Sequence, residues 1–221
     1  MALRRRAGIL LLVLVAVHPG PASALNAPLS REAFEAAVAE GQSRKKKDLA
    51  ASYLLGTRQL RNSTIEVFLA TPYAFVWYTA AGASRKAGKF NKEALWSAVR
   101  EKKTVHLLIT TISSTSTLVG GSMEKGYPVV QRVAVRVAAA QEVHEYGPLS
   151  QSKVKCGSAR HCQGSLGMNW GTLVEYPAEV FSGPGDIEIL VDTPLYQAAF
   201  PVPRRRLMEL PESRWGQNAV P

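Results

Sequence analysis

The pattern of apolar and polar positions in the first half of the chain predicts helices. Ser30 can cap a helix that runs from Arg31 to about Glu40, with its apolar residues on one face. Thr71 and Pro72 supply an N-cap and a proline at the first helical position for a second helix. The apolar residues of this second helix recur at the spacing of one helical stripe, and they are Tyr73, Val76, Trp77, Ala80 and Ala81.

A third helix is predicted to begin at Asn91, which can cap it, with Glu93 in the first turn. Lys102 and Lys103 follow at its C-terminal end, where the helix dipole favours positive charge. Because only a short link separates the second and third helices, we expect them to form an antiparallel αα-hairpin.

Strands are predicted where apolar residues alternate with polar ones, or where β-branched residues form a run between turn residues. They cover residues 64–70, 105–112, 133–137, 187–191 and 198–202, so most of them follow the helices. Glycine and proline between the strands favour turns. The sequence therefore predicts an α+β fold. In it, N-terminal helices, including the hairpin, pack on a mainly antiparallel sheet with the form of a β-sandwich or an open barrel.

The start of the chain has the order of a secretory signal peptide. Three arginines at positions 4–6 precede the apolar run Ala7–Val17, and small residues follow up to Ala24. The run has 11 residues, and at about 1.5 Å of helical rise per residue it is much shorter than the roughly 30 Å hydrocarbon core of a membrane. We therefore expect cleavage after about Ala24, no permanent transmembrane span, and a location in the periplasm, the envelope or the secretory pathway.

Residues 25–221 are then expected to form a single exported domain. It is helix-rich over residues 30–103, strand-rich over 104–207 and irregular over 208–221. The whole chain has a formal charge of +10, from 27 Lys and Arg against 17 Asp and Glu. Because the expected signal contains three of the arginines and no acidic residue, the other 197 residues carry +7. This charge favours solubility and a mild attraction to anionic polymers or membrane surfaces.

Two cysteines, Cys156 and Cys162, are separated by five residues. In an exported chain such a pair normally closes to a disulfide, which we expect here. A metal site of these cysteines with His161 is the alternative, but it lacks a fourth ligand and has no zinc-site spacing, so no metal or cofactor is predicted. Asn62 opens an Asn-Ser-Thr acceptor sequence, which predicts glycosylation if the chain is made in a eukaryote.

Catalytic motifs with a defined spacing are missing from the sequence. It has no Gly-x-Ser-x-Gly nucleophile turn, no glycine-rich phosphate loop and no paired-histidine zinc helix. If the chain is a hydrolase, its site must be assembled from distant loop residues. His144 as the base, with Glu145 and Asp186, then forms the candidate set.

Basic clusters are the remaining functional signal. Nucleic acid is not predicted as a partner, because the chain lacks the aromatic and glycine pattern of an RNA-binding sheet. Anionic envelope polymers, lipid head groups or another exported protein are the expected partners. The candidate anion-binding residues are Arg44, Lys45, Lys46, Lys47, Arg204, Arg205 and Arg206.

These observations lead to one main hypothesis and two rivals. The main hypothesis is an exported, non-catalytic binding or structural module of the cell envelope or secretory space. The first rival is the exported hydrolase, and the second is adhesion to an anionic polymer or lipid surface through the basic clusters. Adhesion of that kind would weaken steeply with salt.

Overall fold

The computed structural model describes residues 25, 27–43, 49–60, 63–86, 90–113, 130–139, 142–156, 169–194 and 196–213. The helices in these ranges are α1 (Arg31–Gln42), α2 (Leu49–Tyr53), α3 (Pro72–Lys86), α4 (Lys92–Val99) and α5 (Arg204–Met208), with a 3₁₀ helix at Ala178–Phe181. The strands are β1 (Leu54–Gln59), β2 (Ser63–Ala70), β3 (Thr104–Ser113), β4 (Arg132–Ala139), β5 (Glu142–Tyr146), β6 (Ser150–Cys156), β7 (Asn169–Pro177), β8 (Ile187–Asp192) and β9 (Gln197–Val202). The expected signal segment 1–24, the basic run 44–47, Asn62 and Cys162 lie outside the described residues.

The three predicted helix starts are confirmed by their caps. In each case a side-chain oxygen accepts the backbone N–H three residues further on, which satisfies a donor that the helix itself leaves open. Ser30 accepts from Ala33 at 3.2 Å, Thr71 from Ala74 at 3.2 Å, and Asn91 from Ala94 at 2.9 Å.

Helix α1 packs against both α3 and α4. It packs along α3, and a Cβ placed on Gly41 would lie only 2.5 Å from the carbonyl oxygen of Trp77, so glycine permits this close approach. Towards α4, the ring of Phe34 lies 5.1 Å from that of Trp96. Direct packing of α3 on α4 is sparse, and the predicted αα-hairpin is not confirmed.

The strands form two antiparallel sheets, which confirms the mixed α+β class. The first sheet has the order β1-β2-β3-β7-β6, and the second has the order β5-β4-β8-β9. All five predicted strands are present. The structure adds β1, β5, β6 and β7, which are not among the five predicted strands.

Alternation along the strands directs one face of each sheet into a common core. In the first sheet the buried positions include Ile65, Leu107 and Val174, and in the second they include Val135 and Ile189. Buried side chains of α1 and α3 belong to the same core. Among the described residues, no helix is both long and apolar enough to cross a membrane.

Candidate functional site

A pocket of about 290 Å³ lies where β2 runs into α3 and where α4 leads into β3. Its walls come from the first turn of α3, the end of α4, and one face of the first sheet. This is the sheet face opposite to the buried residues Leu107 and Val174, because His106 and Leu173 alternate with them. The lining residues are Ala70, Thr71, Pro72, Phe75, Val99, Lys102, Thr104, His106 and Leu173.

A row of three polar side chains crosses the sheet at this pocket. His106 of β3 is paired with Glu175 of β7, and Glu175 is paired with Ser150 of β6, so the three share one face. The His106 Nε2 lies 4.0 Å from the Glu175 Oε1. The Ser150 hydroxyl donates to the Glu175 Oε2 at 3.1 Å, and Thr104 also hydrogen bonds to this carboxylate.

Burial and neighbouring groups set the charge states of His106 and Glu175. Partial burial lowers the pKa of His106 below its ordinary value of 6.5, although Glu175 opposes this shift and Lys102 reinforces it. The imidazole is therefore neutral at pH 7. The hydrogen bond from Thr104 is the main cause that lowers the pKa of Glu175, so this carboxylate is ionised.

The order of the row does not suit serine hydrolysis. A nucleophile, a base and an orienting acid need the imidazole in the middle, where it can take the proton from the hydroxyl. Here the carboxylate of Glu175 lies between His106 and Ser150, and the Ser150 hydroxyl donates to the carboxylate. The arrangement can instead hold a hydrogen-bond donor or a cation of a ligand.

A positive charge lies on another wall of the same pocket. The Lys102 ammonium is 5.7 Å from the centre of the Phe75 ring, within the range of a cation–π contact. The Phe75 side chain is 51 % exposed, which is unusual for a large apolar residue. The pocket thus combines apolar walls with a cation and, beyond His106, an anion.

A buried polar cluster lies behind the pocket wall. Thr71, which lines the pocket, hydrogen bonds to the carboxyl group of Glu212, and the Tyr53 hydroxyl donates to the Glu212 Oε2. Glu212 is fully buried, and this burial raises its pKa above the ordinary value of 4.5. The cluster ties the C-terminal segment to the start of α3.

The three residues predicted from the sequence as a hydrolase site have separate partners. The His144 Nε2 lies 3.5 Å from the Glu142 Oε2 on the exposed strand β5. Glu145 follows directly in the strand, so it points to the other face, where it pairs with arginines of β4. Asp186 accepts the backbone N–H of Arg204 at 2.8 Å. No contact among the described residues brings these three side chains together, and their catalytic role stays a prediction.

Two arginines of the predicted basic cluster at α5, Arg204 and Arg206, donate hydrogen bonds to backbone carbonyls. The Arg204 guanidinium donates to the carbonyls of Phe181 and Ser182 at 2.6 Å and 2.9 Å. The Arg206 guanidinium donates to three carbonyls at the α2–β1 junction, at 3.1 to 3.3 Å. Arg205, at 88 % side-chain exposure, points to solvent with Glu209 beside it. The first two side chains hold α5 in place, and anion binding by the cluster stays a prediction.

The remaining sequence predictions fall at or beyond the edge of the described residues. Cys156 is the last residue of β6, where its backbone pairs with that of Asn169, but its partner Cys162 is not described. The disulfide therefore stays a prediction. Within the described ranges, no group of three or more His, Cys, Asp and Glu side chains is placed to hold a metal ion.

Sequence reasoning missed most of the pocket. It placed Lys102 only at the C-terminal end of a predicted helix, and it did not single out Phe75, His106 or Glu175 as site residues. The signal for Glu175 was its position between Val174 and Tyr176, where one charged residue interrupts an apolar run. Comparisons with protein families, with curated proteins and with solved structures found no match to this chain.

Proposed function

We propose that the chain is an exported, non-catalytic binding domain whose ligand site is the pocket beside His106 and Glu175. One observation carries the proposal, namely that Lys102 and His106 line the same small, largely apolar pocket, with Glu175 next to His106 and outside the lining. Apolar walls with a few polar groups that fix orientation are typical of small-molecule sites.

Export is proposed from the N-terminal sequence. Leu25, the first residue after the expected cleavage point, is buried, as is Leu29. The order of arginines, apolar run and small residues over positions 4–24 supports a mature chain that starts at Leu25 and works in the envelope or secretory space.

We also infer that the two sheets stack as a β-sandwich. The Tyr176 hydroxyl of β7 donates to the Val133 carbonyl of β4 at 3.0 Å, and this hydrogen bond between the two sheets supports face-to-face packing. A Cβ on Gly56 of β1 would lie 2.9 Å from the Phe200 ring of β9. Backbone NOEs that reveal a continuous ladder from β1 to β9 would favour the open barrel instead.

The binding proposal is tested by two-dimensional amide NMR of the mature domain. The probes are L-phenylalanine, 3-phenylpropionate and phenethylamine, which share a benzyl group and differ in charge. We expect the largest shifts at the amides of Thr71, Phe75, Thr104 and His106. Probes that shift none of these amides would contradict the proposal.

A pair of matched variants controls this experiment. Leu173→Trp fills the pocket, whereas Leu149→Trp adds the same ring at an exposed position outside the pocket lining. We expect the first variant to lose the probe-induced shifts and the second to keep them. Turnover of ester, peptide or glycan substrates that is lost in His144→Ala would instead favour the hydrolase.

A further inference from the structure

We propose that the ligand is an apolar monocarboxylate, whose carboxylate faces the Lys102 ammonium group and whose apolar body fills the rest of the pocket. This inference rests on the proposed binding function and names the chemical class of the ligand. Three features of the pocket support it, and they are the charge of its lining, the position of Lys102 and its size.

The lining has one full positive charge and no negative charge among the residues that the structure describes. Lys102 is the only lysine or arginine of this lining, and none of the lining residues is aspartate or glutamate. Glu175 lies outside the lining, and in its row across the sheet His106 lies between it and Ala70. A ligand with one negative charge therefore meets a wall of complementary charge, whereas a positively charged ligand does not.

The Lys102 ammonium group is available to a ligand. It lies 5.7 Å from the centre of the Phe75 ring, which also lines the pocket, so the charge is at the pocket wall. Within the described part of the chain, no carboxylate lies at ion-pair distance from this ammonium group. Its N–H donors are therefore not occupied by an acidic side chain and can bind a carboxylate of the ligand.

The other polar groups of the lining add a donor but no charge. The Thr104 hydroxyl hydrogen bonds to Glu175 and the Thr71 hydroxyl to Glu212, so both hydroxyls have partners within the domain. His106 is neutral at pH 7 and keeps one ring N–H that can donate to a second carboxylate oxygen. One cation with one neutral donor suits a monoanion better than a phosphate group, which carries a charge of about −1.5 to −2.

The size of the pocket fits a small monocarboxylate. A water molecule occupies about 30 Å³ in the liquid, so a pocket of about 290 Å³ has room for a molecule of about ten non-hydrogen atoms. 3-Phenylpropionate is of about this size. Its ring would lie against the apolar lining residues Leu173, Val99 and Phe75.

The test compares the affinities of probes of one shape and different charge, measured by NMR titration of the mature domain. 3-Phenylpropionate is negative, 3-phenylpropanamide is its neutral counterpart, and phenethylamine is positive. Because Lys102 is exposed and water screens part of its charge, we expect 3-phenylpropionate to bind about three- to tenfold more tightly than the amide. We expect phenethylamine to bind most weakly of the three.

Variants of two neighbouring lysines assign the preference to its residue. In Lys102→Met we expect 3-phenylpropionate and 3-phenylpropanamide to bind equally, whereas Lys102→Arg, which retains the charge, keeps the preference for the carboxylate. Lys103→Met is the matched control, because Lys103 is exposed and outside the lining, and it should keep the preference as well. Melting temperatures check folding, and the wild-type comparison of the probes decides the question even if a variant does not fold.

The outcomes separate this inference from the binding proposal. Equal affinity of the wild type for 3-phenylpropionate and its amide, with shifts at the pocket amides, would overturn the carboxylate inference and leave the binding site in place. Tighter binding of phenethylamine, or a preference for the carboxylate that persists in Lys102→Met, would overturn it in the same way. Shifts of none of the pocket amides would overturn both proposals.

Discussion

The buried carboxyl group of Glu212 makes the stability of the domain depend on pH in a defined direction. Glu212 is 0 % exposed, and burial raises its pKa in the folded state above 4.5, the ordinary value that applies to the unfolded chain. Below pH 4.5 both states carry the proton. Above it the unfolded chain loses the proton while the folded domain keeps it, so the free energy of unfolding falls as the pH rises, until the folded pKa is passed.

The magnitude follows from proton linkage. Within this pH window the loss approaches about 1.4 kcal/mol for each pH unit, since one proton separates the two states. Glu212→Gln removes the titration and keeps an acceptor for the Tyr53 hydroxyl. At pH 4.5 we expect this variant to be less stable than the wild type, by about 1 kcal/mol, because a poorer hydrogen-bond partner replaces the carboxyl group. The deficit should shrink, and then reverse, as the pH rises.

Urea unfolding followed by tryptophan fluorescence between pH 4.5 and 8 measures this difference. All other titrating groups are present in both proteins, so they cancel when the two free energies of unfolding are subtracted. Glu209→Gln is the matched control, because Glu209 is exposed at the end of α5. A difference between Glu212→Gln and the wild type that stays constant over this pH range would refute the reasoning.

Three further predictions concern the packing of the helices and the start of the mature chain. Gly41→Val should lower the free energy of unfolding by about 1–3 kcal/mol, because the new Cβ would lie 2.5 Å from the α3 backbone. Gly82→Ala should instead raise the free energy of unfolding by about 0.5–1 kcal/mol, because the space around Gly82 is open. Thermal unfolding of both variants checks this. Arg206→Ala should lower the free energy of urea unfolding by about 1–3 kcal/mol, because three carbonyls at the α2–β1 junction, two of them partly buried, lose a charged donor, whereas Arg205→Ala should change it little. N-terminal sequencing of the exported protein should begin at Leu25, and a start at Met1 or Ala2 would contradict the signal peptide.

The helix starts could be predicted from the sequence because capping is local. Ser30, Thr71 and Asn91 each act on a backbone group only three residues away, so a short stretch of sequence contains the whole interaction. The same holds for strands with one buried face, such as β2 and β8, whose alternation is visible within one segment.

Strands without that alternation were missed for a physical reason. Every residue of β5 is exposed, so neither face selects apolar side chains and no pattern of period two arises. The strand β7 lies between β3 and β6, with Val174 and Tyr176 on its buried face and Leu173 and Glu175 on its half-buried face. Because the half-buried face also has an apolar residue, Leu173, its segment does not show the clean alternation on which the other predictions depend.

The candidate site depends on long-range pairing, which a single sequence does not contain. His106 and Glu175 are far apart along the chain and become neighbours only through the register of β3 with β7. The burial of Glu212 is equally unexpected from the sequence, because a carboxyl group in a segment predicted to be irregular looks like a solvated one. Only its contacts with Tyr53 and Thr71 reveal the cluster.

The central claim is that the pocket beside His106 and Glu175 binds a small ligand. It is tested most directly by intermolecular NOEs between the ring protons of L-phenylalanine and the methyl groups of the mature domain. We predict NOEs to the methyl groups of Leu173 and Val99, which line the pocket, and none to the exposed methyl groups of Leu149. NOEs confined to Leu149 or other surface methyl groups, or no NOE at saturating ligand, would contradict the claim.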